Sequence, residues 1–360
     1  MNARVACVRN TWVNMINWER FKKTKAIGLS TVVPAFTTAG EDYCDELLTK
    51  EANKIKSCGT VVKAVGCKTC GEKYFKGFSK CKSKYCPTCS AMKGAIWCAK
   101  LYPKINEWLK TKKYVCFGTF TIPNQEDLEV ALDVVYKAWR YMTNKLVPAE
   151  WKKRFAGGVK SVEVKIGKYS KKWHVHIHAM FFRDKYGRDH HFLREAWIKS
   201  VQHFLGDVQV NVPRIESIKN KATTKKEKDI ILGAICETVK YMTKINHDME
   251  TYRLVEAFNN LKGRRQISCW GILRGLTKKV EEVMDDESEN LVESFKCATC
   301  GSTLSEFLEI WDEAGNGYKD LTMKEFKDVV TFVPAVEELP LSYDRDKDED
   351  DKDWEQITFL

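Results

Sequence analysis

The sequence predicts an α+β fold: a central, mainly antiparallel sheet with helices on one face, preceded by a small cysteine-rich module. Three observations predict it. From Tyr114 the hydropathy pattern runs strand, helix, strand, strand, helix, strand, helix. The two middle strands, residues 159–166 and 173–182, flank the short polar stretch Gly-Lys-Tyr-Ser-Lys and so read as a hairpin, which excludes a doubly wound parallel sheet. Residues 56–98 are rich in Cys and Lys and show little periodicity, as expected of a segment held by metal rather than by a core.

Taken in order, residues 1–55 form a mixed lead-in with Trp12, Trp18 and Phe21, and no motif assigns it. The cysteine module, 56–98, follows. Residues 114–122 read as a strand stopped by Pro123, and Asn124 is the expected N-cap of the next helix. Leu128, Leu132, Val135, Trp139, Met142 and Leu146 recur at helical spacing until Pro148. After the hairpin come a helix at 191–204, a strand at 208–215, a Lys-rich loop and a helix at 226–244, completing a core domain over 110–280. Residues 281–334 are expected to be a helical region carrying a second Cys-x2-Cys. Residues 335–360, with ten acids and three bases, read as a disordered acidic tail.

Composition limits function. No apolar run approaches the roughly 18–20 residues of a membrane span, and the N-terminus has no apolar signal segment, so the expectation is a cytoplasmic protein with no membrane partner. Fourteen cysteines in such a chain argue for thiolate–metal chemistry over disulfides. The net charge is +11, and residues 51–113 alone, with fifteen Lys and three Glu, carry +12. Such a concentrated patch fits a polyanion, most often nucleic acid. No Walker-type phosphate loop occurs, which excludes a P-loop ATPase or helicase. Residues 312–323 imitate a calcium loop, but Ala314 and Met323 replace two ligands.

Three constellations carry chemistry. On the strand Trp173-His174-Val175-His176-Ile177-His178, alternation puts the apolar side chains on one face and His174, His176 and His178 on the other. Same-face imidazoles about 6.5–7 Å apart along a strand can share a cation. The hairpin brings Glu163 opposite His174 or His176 as a carboxylate ligand. On the last core helix, Glu237 and Tyr241 stand at i and i+4, with Lys244 three residues further, which suits a nucleophile with a base and an electrostatic partner. Finally, Cys67-x2-Cys70 and Cys86-x2-Cys89 have zinc-site spacing, with Cys81 and Cys58 as alternates for one ligand. Lys80, Lys82 and Lys84, among aromatic residues, are the candidate DNA contacts. Cys297-x2-Cys300 is a second knuckle whose partners the sequence leaves open, Cys269 being one guess.

Phe117-Gly-Thr-Phe-Thr-Ile-Pro-Asn124, Val162-Glu-Val164, His176-Ile-His178 and Glu237-Thr-Val-Lys-Tyr241-Met-Thr-Lys244, in that order, resemble the rolling-circle replication initiators of small bacterial plasmids, members of the HUH endonuclease superfamily. Cys81-x4-Cys86-Pro-x-Cys89 and the stretch from Arg264-Arg265 to Arg274 also look like that family, so the resemblance covers about residues 67–276. It implies an HUH-like fold and an enzyme that nicks one DNA strand at an origin, leaving a 5′-phosphotyrosine and a 3′-hydroxyl primer. By the resemblance His176 and His178 are ligands of a catalytic Mg or Mn, Tyr241 is the nucleophile, and Glu237 activates water. The third ligand stays open between His174 and Glu163. Expected partners are single- and double-stranded origin DNA, a host helicase and a DNA polymerase. The competing readings are a zinc-ribbon DNA-binding regulator without catalysis, and a relaxase or transposase of the same superfamily.

Overall fold

The structure, a computed structural model, describes residues 18–320 apart from 72, 112, 185–188, 212, 219–230, 232, 236–237, 240–249, 286–299, 303 and 316. The expected acidic tail, most of the 226–244 helix and Cys297 therefore lie outside the described residues.

Helix α1 (Trp18–Ile27) passes through a π-helical turn (Gly28–Val32) into α2 (Val33–Asp42). α3 (Glu46–Ser57) starts at Asp45, whose carboxylate accepts from the Leu47 N–H at 2.8 Å. β1 (Val61–Cys67) and β2 (Lys73–Phe78) form a hairpin. α4 (Pro87–Lys110) opens with Pro87 in its first turn, where a missing N–H does no harm. Then come β3 (Tyr114–Thr121), α5 (Leu128–Tyr141), α6 (Pro148–Arg154), β4 (Gly157–Ile166), β5 (Trp173–Arg183) and α7 (Asp189–Leu205). β6 (Arg214–Ile218), α8 (Thr251–Leu261), β7 (Ile267–Gly271), α9 (Leu276–Asp285), β8 (Leu304–Asp312) and β9 (Gly317–Asp320) complete the order.

Two antiparallel sheets result. The five-stranded sheet has the order β6-β3-β5-β4-β7, and a four-stranded sheet has the order β2-β1-β8-β9. β5 lies at the centre of the larger one. Its apolar face, Trp173, Val175, Ile177, Ala179 and Phe181, is buried against Leu132, Val135 and Trp139 of α5 and Leu193, Trp197 and Val201 of α7. This is the helix-covered face the sequence predicts. On the opposite face, alternation makes the histidine row continue as Met180 and Phe182. There Trp97, Leu101, Ile105 and Leu109 of α4 pack on Val115, Val159, Met180 and Phe182, together with Ile231, Ile235, Val239, Leu276 and Val280. Helices thus cover all of one face and the apolar half of the other. No described helix covers the half that carries the histidines.

Close approach at the β4 edge requires glycine. A Cβ on Gly158 would lie 2.4 Å from both the Met180 carbonyl oxygen and the Trp270 ring.

Four expectations need correction. The α5 N-cap is Asp127, whose side chain accepts from the Val130 N–H at 2.9 Å; the Asn124 side chain is engaged elsewhere. The strand expected at 208–215 is β6, displaced to Arg214–Ile218, because Pro213 cannot donate to a ladder. The boundary drawn between 98 and 110 falls inside α4, whose stripe Trp97, Leu101, Ile105 and Leu109 runs at i, i+4, i+8 and i+12. Residues 304–320, expected in a helical region, form β8 and β9, since β1 supplies a ladder that local pattern does not reveal. The lead-in also joins the core: Phe36, Leu48, Ala52 and Ile55 share one buried cluster with Leu254, Ala257 and Leu261 of α8. The false calcium loop is the β8–β9 turn, in which Asp312 accepts from the Gly315 N–H. No described helix is long and apolar enough to cross a membrane.

Candidate metal centre

β4 and β5 pair with Glu163 directly opposite His176 and Lys165 opposite His174. The Glu163 carboxylate oxygen Oε2 lies 2.8 Å from His176 Nε2 and 2.9 Å from His178 Nε2, and the two Nε2 atoms are 3.0 Å apart. All three residues are buried. Burial pushes the Glu163 carboxyl up, but hydrogen bonding to His176 and His178 outweighs it and holds the group well below the usual carboxylate range. Burial, aided by the neighbouring His178, lowers His176 and favours its neutral form.

The triangle has the dimensions of a metal face. For bonds of about 2.1 Å, adjacent ligands of an octahedral hard cation stand about 3.0 Å apart, against about 3.4 Å for a tetrahedral ion. Observed edges of 2.8, 2.9 and 3.0 Å match the octahedral spacing. Two imidazole nitrogens and one carboxylate oxygen converging on a point could hold a divalent ion.

Outer partners orient these ligands. Thr119 on β3 stands opposite His178, and its Oγ1 lies 3.1 Å from His178 Nδ1. An Nδ1–H donated to that hydroxyl leaves the Nε2 lone pair for the triangle. Phe117 stacks on the His178 ring, centroids 5.8 Å apart. His174 stands apart from the group. Its Nδ1 is 2.7 Å from Asn124 Oδ1, and Asn124 also donates to Ser170 at 2.8 Å. Burial, with the charges of His176 and Lys165, lowers His174 to about 4. The third member beside His176 and His178 is therefore Glu163.

The cysteines regroup. Cys86 and Cys89 come together with Cys58 and Cys81, whereas Cys67 and Cys70 come together with Cys300. The expected set of Cys67, Cys70, Cys86 and Cys89 is thus two groups, because Cys58 and Cys67 flank the opposite ends of β1, about 20 Å apart at 3.3 Å per residue. In the first group Cys89 Sγ is 3.4 Å from Cys58 Sγ and 3.7 Å from Cys81 Sγ. A tetrahedral zinc with bonds near 2.3 Å sets its sulfurs about 3.8 Å apart. Hydrogen bonding to Cys58, Cys81 and Cys89 holds Cys86 well below the ordinary thiol range. Beside this group Lys25, 2% exposed, donates to the carbonyls of Lys56 and Cys58, both at 2.7 Å. Burial lowers its pKa and the nearby thiolates oppose that fall. Cys269 joins neither group.

Of the candidate DNA contacts, Lys82 is exposed, but Lys84 is half-buried and its Nζ donates to the Leu261 carbonyl at 2.5 Å, at the end of α8. Lys84 therefore serves the protein frame, which removes it from the set facing a polyanion. Tyr241, Glu237, Lys244 and Cys297 lie outside the described residues. Sequence reasoning missed Thr119, Asn124 and Lys25 as partners of the sites. Thr119 and Asn124 sit in the 117–124 motif, so a signal existed; nothing local marks Lys25.

No curated protein and no solved structure matches the chain. A family model described as "Replication protein" matches residues 73–319, a stretch that holds the whole central sheet, the Glu163–His176–His178 triangle and four of the seven grouped cysteines, Cys81, Cys86, Cys89 and Cys300; Cys58, Cys67 and Cys70 precede it. That match covers more than half of the chain, which belongs to this replication-protein family, in agreement with the rolling-circle initiators its motifs resemble.

Proposed function

We propose that the protein initiates rolling-circle replication by nicking one strand of origin DNA with Tyr241. The single observation that carries this reading is the triangle of Glu163, His176 and His178, whose edges fit a face of an octahedral divalent cation. Glu163, His176 and His178 would hold Mg or Mn, which when bound neutralises charge on a phosphodiester as a Lewis acid. Burial favours the neutral form of His176, and Thr119 and Phe117 fix the plane of His178. The triangle lies on the half of the sheet that no described helix covers.

In the proposed reaction the Tyr241 oxygen attacks phosphorus in line. The new O–P bond gives a 5′-phosphotyrosine, and the broken P–O bond leaves a 3′-hydroxyl that takes up a proton. The phenol, with an ordinary pKa near 10, gives up its proton with help from the Lys244 charge. Glu237, one helical turn before Tyr241 in sequence, would deprotonate the water that later frees the enzyme. Because the phosphoester energy is kept, no ATP is needed for the cut; unwinding falls to a separate helicase and extension to a polymerase. The Cys58, Cys81, Cys86 and Cys89 thiols would hold a structural zinc at the root of α4.

The test mixes the protein and Mn or Mg with supercoiled DNA of its own replicon. Nicked circles bearing covalently attached protein are expected, and Tyr241→Phe should bind the DNA yet give neither. Undiminished nicking by Tyr241→Phe would overturn the assignment. DNA binding without nicking by the wild type would favour a zinc-ribbon regulator.

A further inference from the structure

We infer that Cys67, Cys70 and Cys300 form a second thiolate site for a zinc-class cation, which staples the β1–β2 hairpin to the β8–β9 hairpin across 230 residues of chain. The inference does not depend on the nicking reaction. Cys300 Sγ lies 3.3 Å from Cys67 Sγ and 3.6 Å from Cys70 Sγ. These separations are far beyond a disulfide bond of about 2.05 Å and close to the roughly 3.8 Å of a tetrahedral tetrathiolate.

The backbone is arranged for the same purpose. Cys67 ends β1, and the Gly71 N–H returns to its carbonyl at 2.9 Å, closing a tight turn around Cys70. Cys70 and Cys300, the second cysteine of each knuckle, are each followed by a glycine in the left-handed region, Gly71 at φ +76° and Gly301 at φ +73°. Only glycine adopts that conformation freely, so both turns wrap their sulfurs in the same way. β8 then leaves the site in register with β1, from Leu304 opposite Cys67 to Ile310 opposite Val61.

Among the described residues, the apolar cluster beside the small sheet is Phe21 and Val62, with Phe78, Met92, Ala95 and Tyr318 packed against them, and a staple adds to this core. A cross-link between residues 67 and 300 closes a loop of 233 residues. The entropy that such a closure removes from the unfolded chain grows with loop length.

The native, full-length protein supplies its own control, because Cys44 is also exposed and belongs to neither group. Treatment with N-ethylmaleimide, followed by mass spectrometric mapping, should label Cys44 while sparing the exposed Cys70 and Cys300. A strong chelator should then bring Cys70 and Cys300 to the Cys44 rate. Metal analysis should find two zinc per chain. Cys300→Ser and Cys70→Ser should each fall to one, with faster hydrogen exchange in residues 304–312 and unchanged exchange in α5. Labelling of Cys70 and Cys300 as fast as Cys44 before chelation would overturn the proposal. So would a zinc content that Cys70→Ser and Cys300→Ser leave unchanged.

Discussion

Replacing Thr119 by Val removes one hydroxyl and keeps the β-branched shape that suits a strand. The hydroxyl oxygen stands 3.1 Å from His178 Nδ1, so the substitution deletes the partner that fixes which nitrogen carries the proton. Without it the Nε2-protonated tautomer competes, and that tautomer has no lone pair for a cation. Loss of an outer-shell partner of a ligating histidine lowers metal affinity about 10–100-fold, or about 1.4–2.8 kcal/mol at 1.4 kcal/mol per decade. Global stability should change by about 1 kcal/mol or less, the net worth of one hydrogen bond. The assay is a Mn2+ titration followed by the EPR signal of free ion, paired with nicking rates over the same Mn2+ range. The variant should need 10–100-fold more Mn2+ for half-maximal nicking and recover nearly full rate at saturation, while Thr119→Ser behaves as wild type. Wild-type Mn2+ affinity in Thr119→Val, or equal loss in Thr119→Ser, would refute the role given to this hydroxyl.

Three further outcomes follow from the same geometry. Glu163→Gln should weaken Mn2+ binding by more than about 100-fold, beyond the effect of an outer-shell change, whereas His174→Ala should leave it within a few-fold, because His174 is tied to Asn124 outside the triangle; the reverse order in a Mn2+ titration would exchange their roles. Lys25→Met leaves the buried Cys58 carbonyl and the partly buried Lys56 carbonyl without their ammonium donor. At about 1–3 kcal/mol per unsatisfied group, partly offset by relief of a buried charge, it should destabilise the fold by about 2–4 kcal/mol in denaturant, and an unchanged midpoint would contradict this. Gly158→Ala forces a methyl to within 2.4 Å of the Met180 carbonyl and the Trp270 ring; overpacking of this kind should cost about 1–3 kcal/mol or more, and a melting temperature equal to wild type would show that β7 can move aside.

The histidine face was legible because a strand alternates with period two, so His174, His176 and His178 had to share a side whatever the tertiary fold. The choice between His174 and Glu163 was not, since it depends on hairpin register, and the six-residue turn sets Glu163 opposite His176 and Lys165 opposite His174. The cysteine motifs announced metal chemistry, yet their partition was hidden. Cys58 and Cys300 reach their groups through the approach of the C-terminal end of α3 to the first turn of α4 and the pairing of β8 with β1, contacts 31 and 233 residues apart in sequence. α4 escaped notice for a different reason: Pro87, Gly94 and Pro103 interrupt its pattern, while the stripe from Trp97 to Leu109 holds it against the sheet. Lys84 shows the limit of charge counting, for its ammonium answers a helix-end carbonyl and not a phosphate.

The central claim is that Glu163, His176 and His178 hold one divalent cation. Pulsed EPR of the native protein loaded with one equivalent of Mn2+ tests it most directly, because coupling to imidazole nitrogen is read from the ion itself. The account predicts two coupled imidazole nitrogens, falling to one in His178→Ala. A bound Mn2+ with no imidazole coupling in the wild-type protein would contradict it.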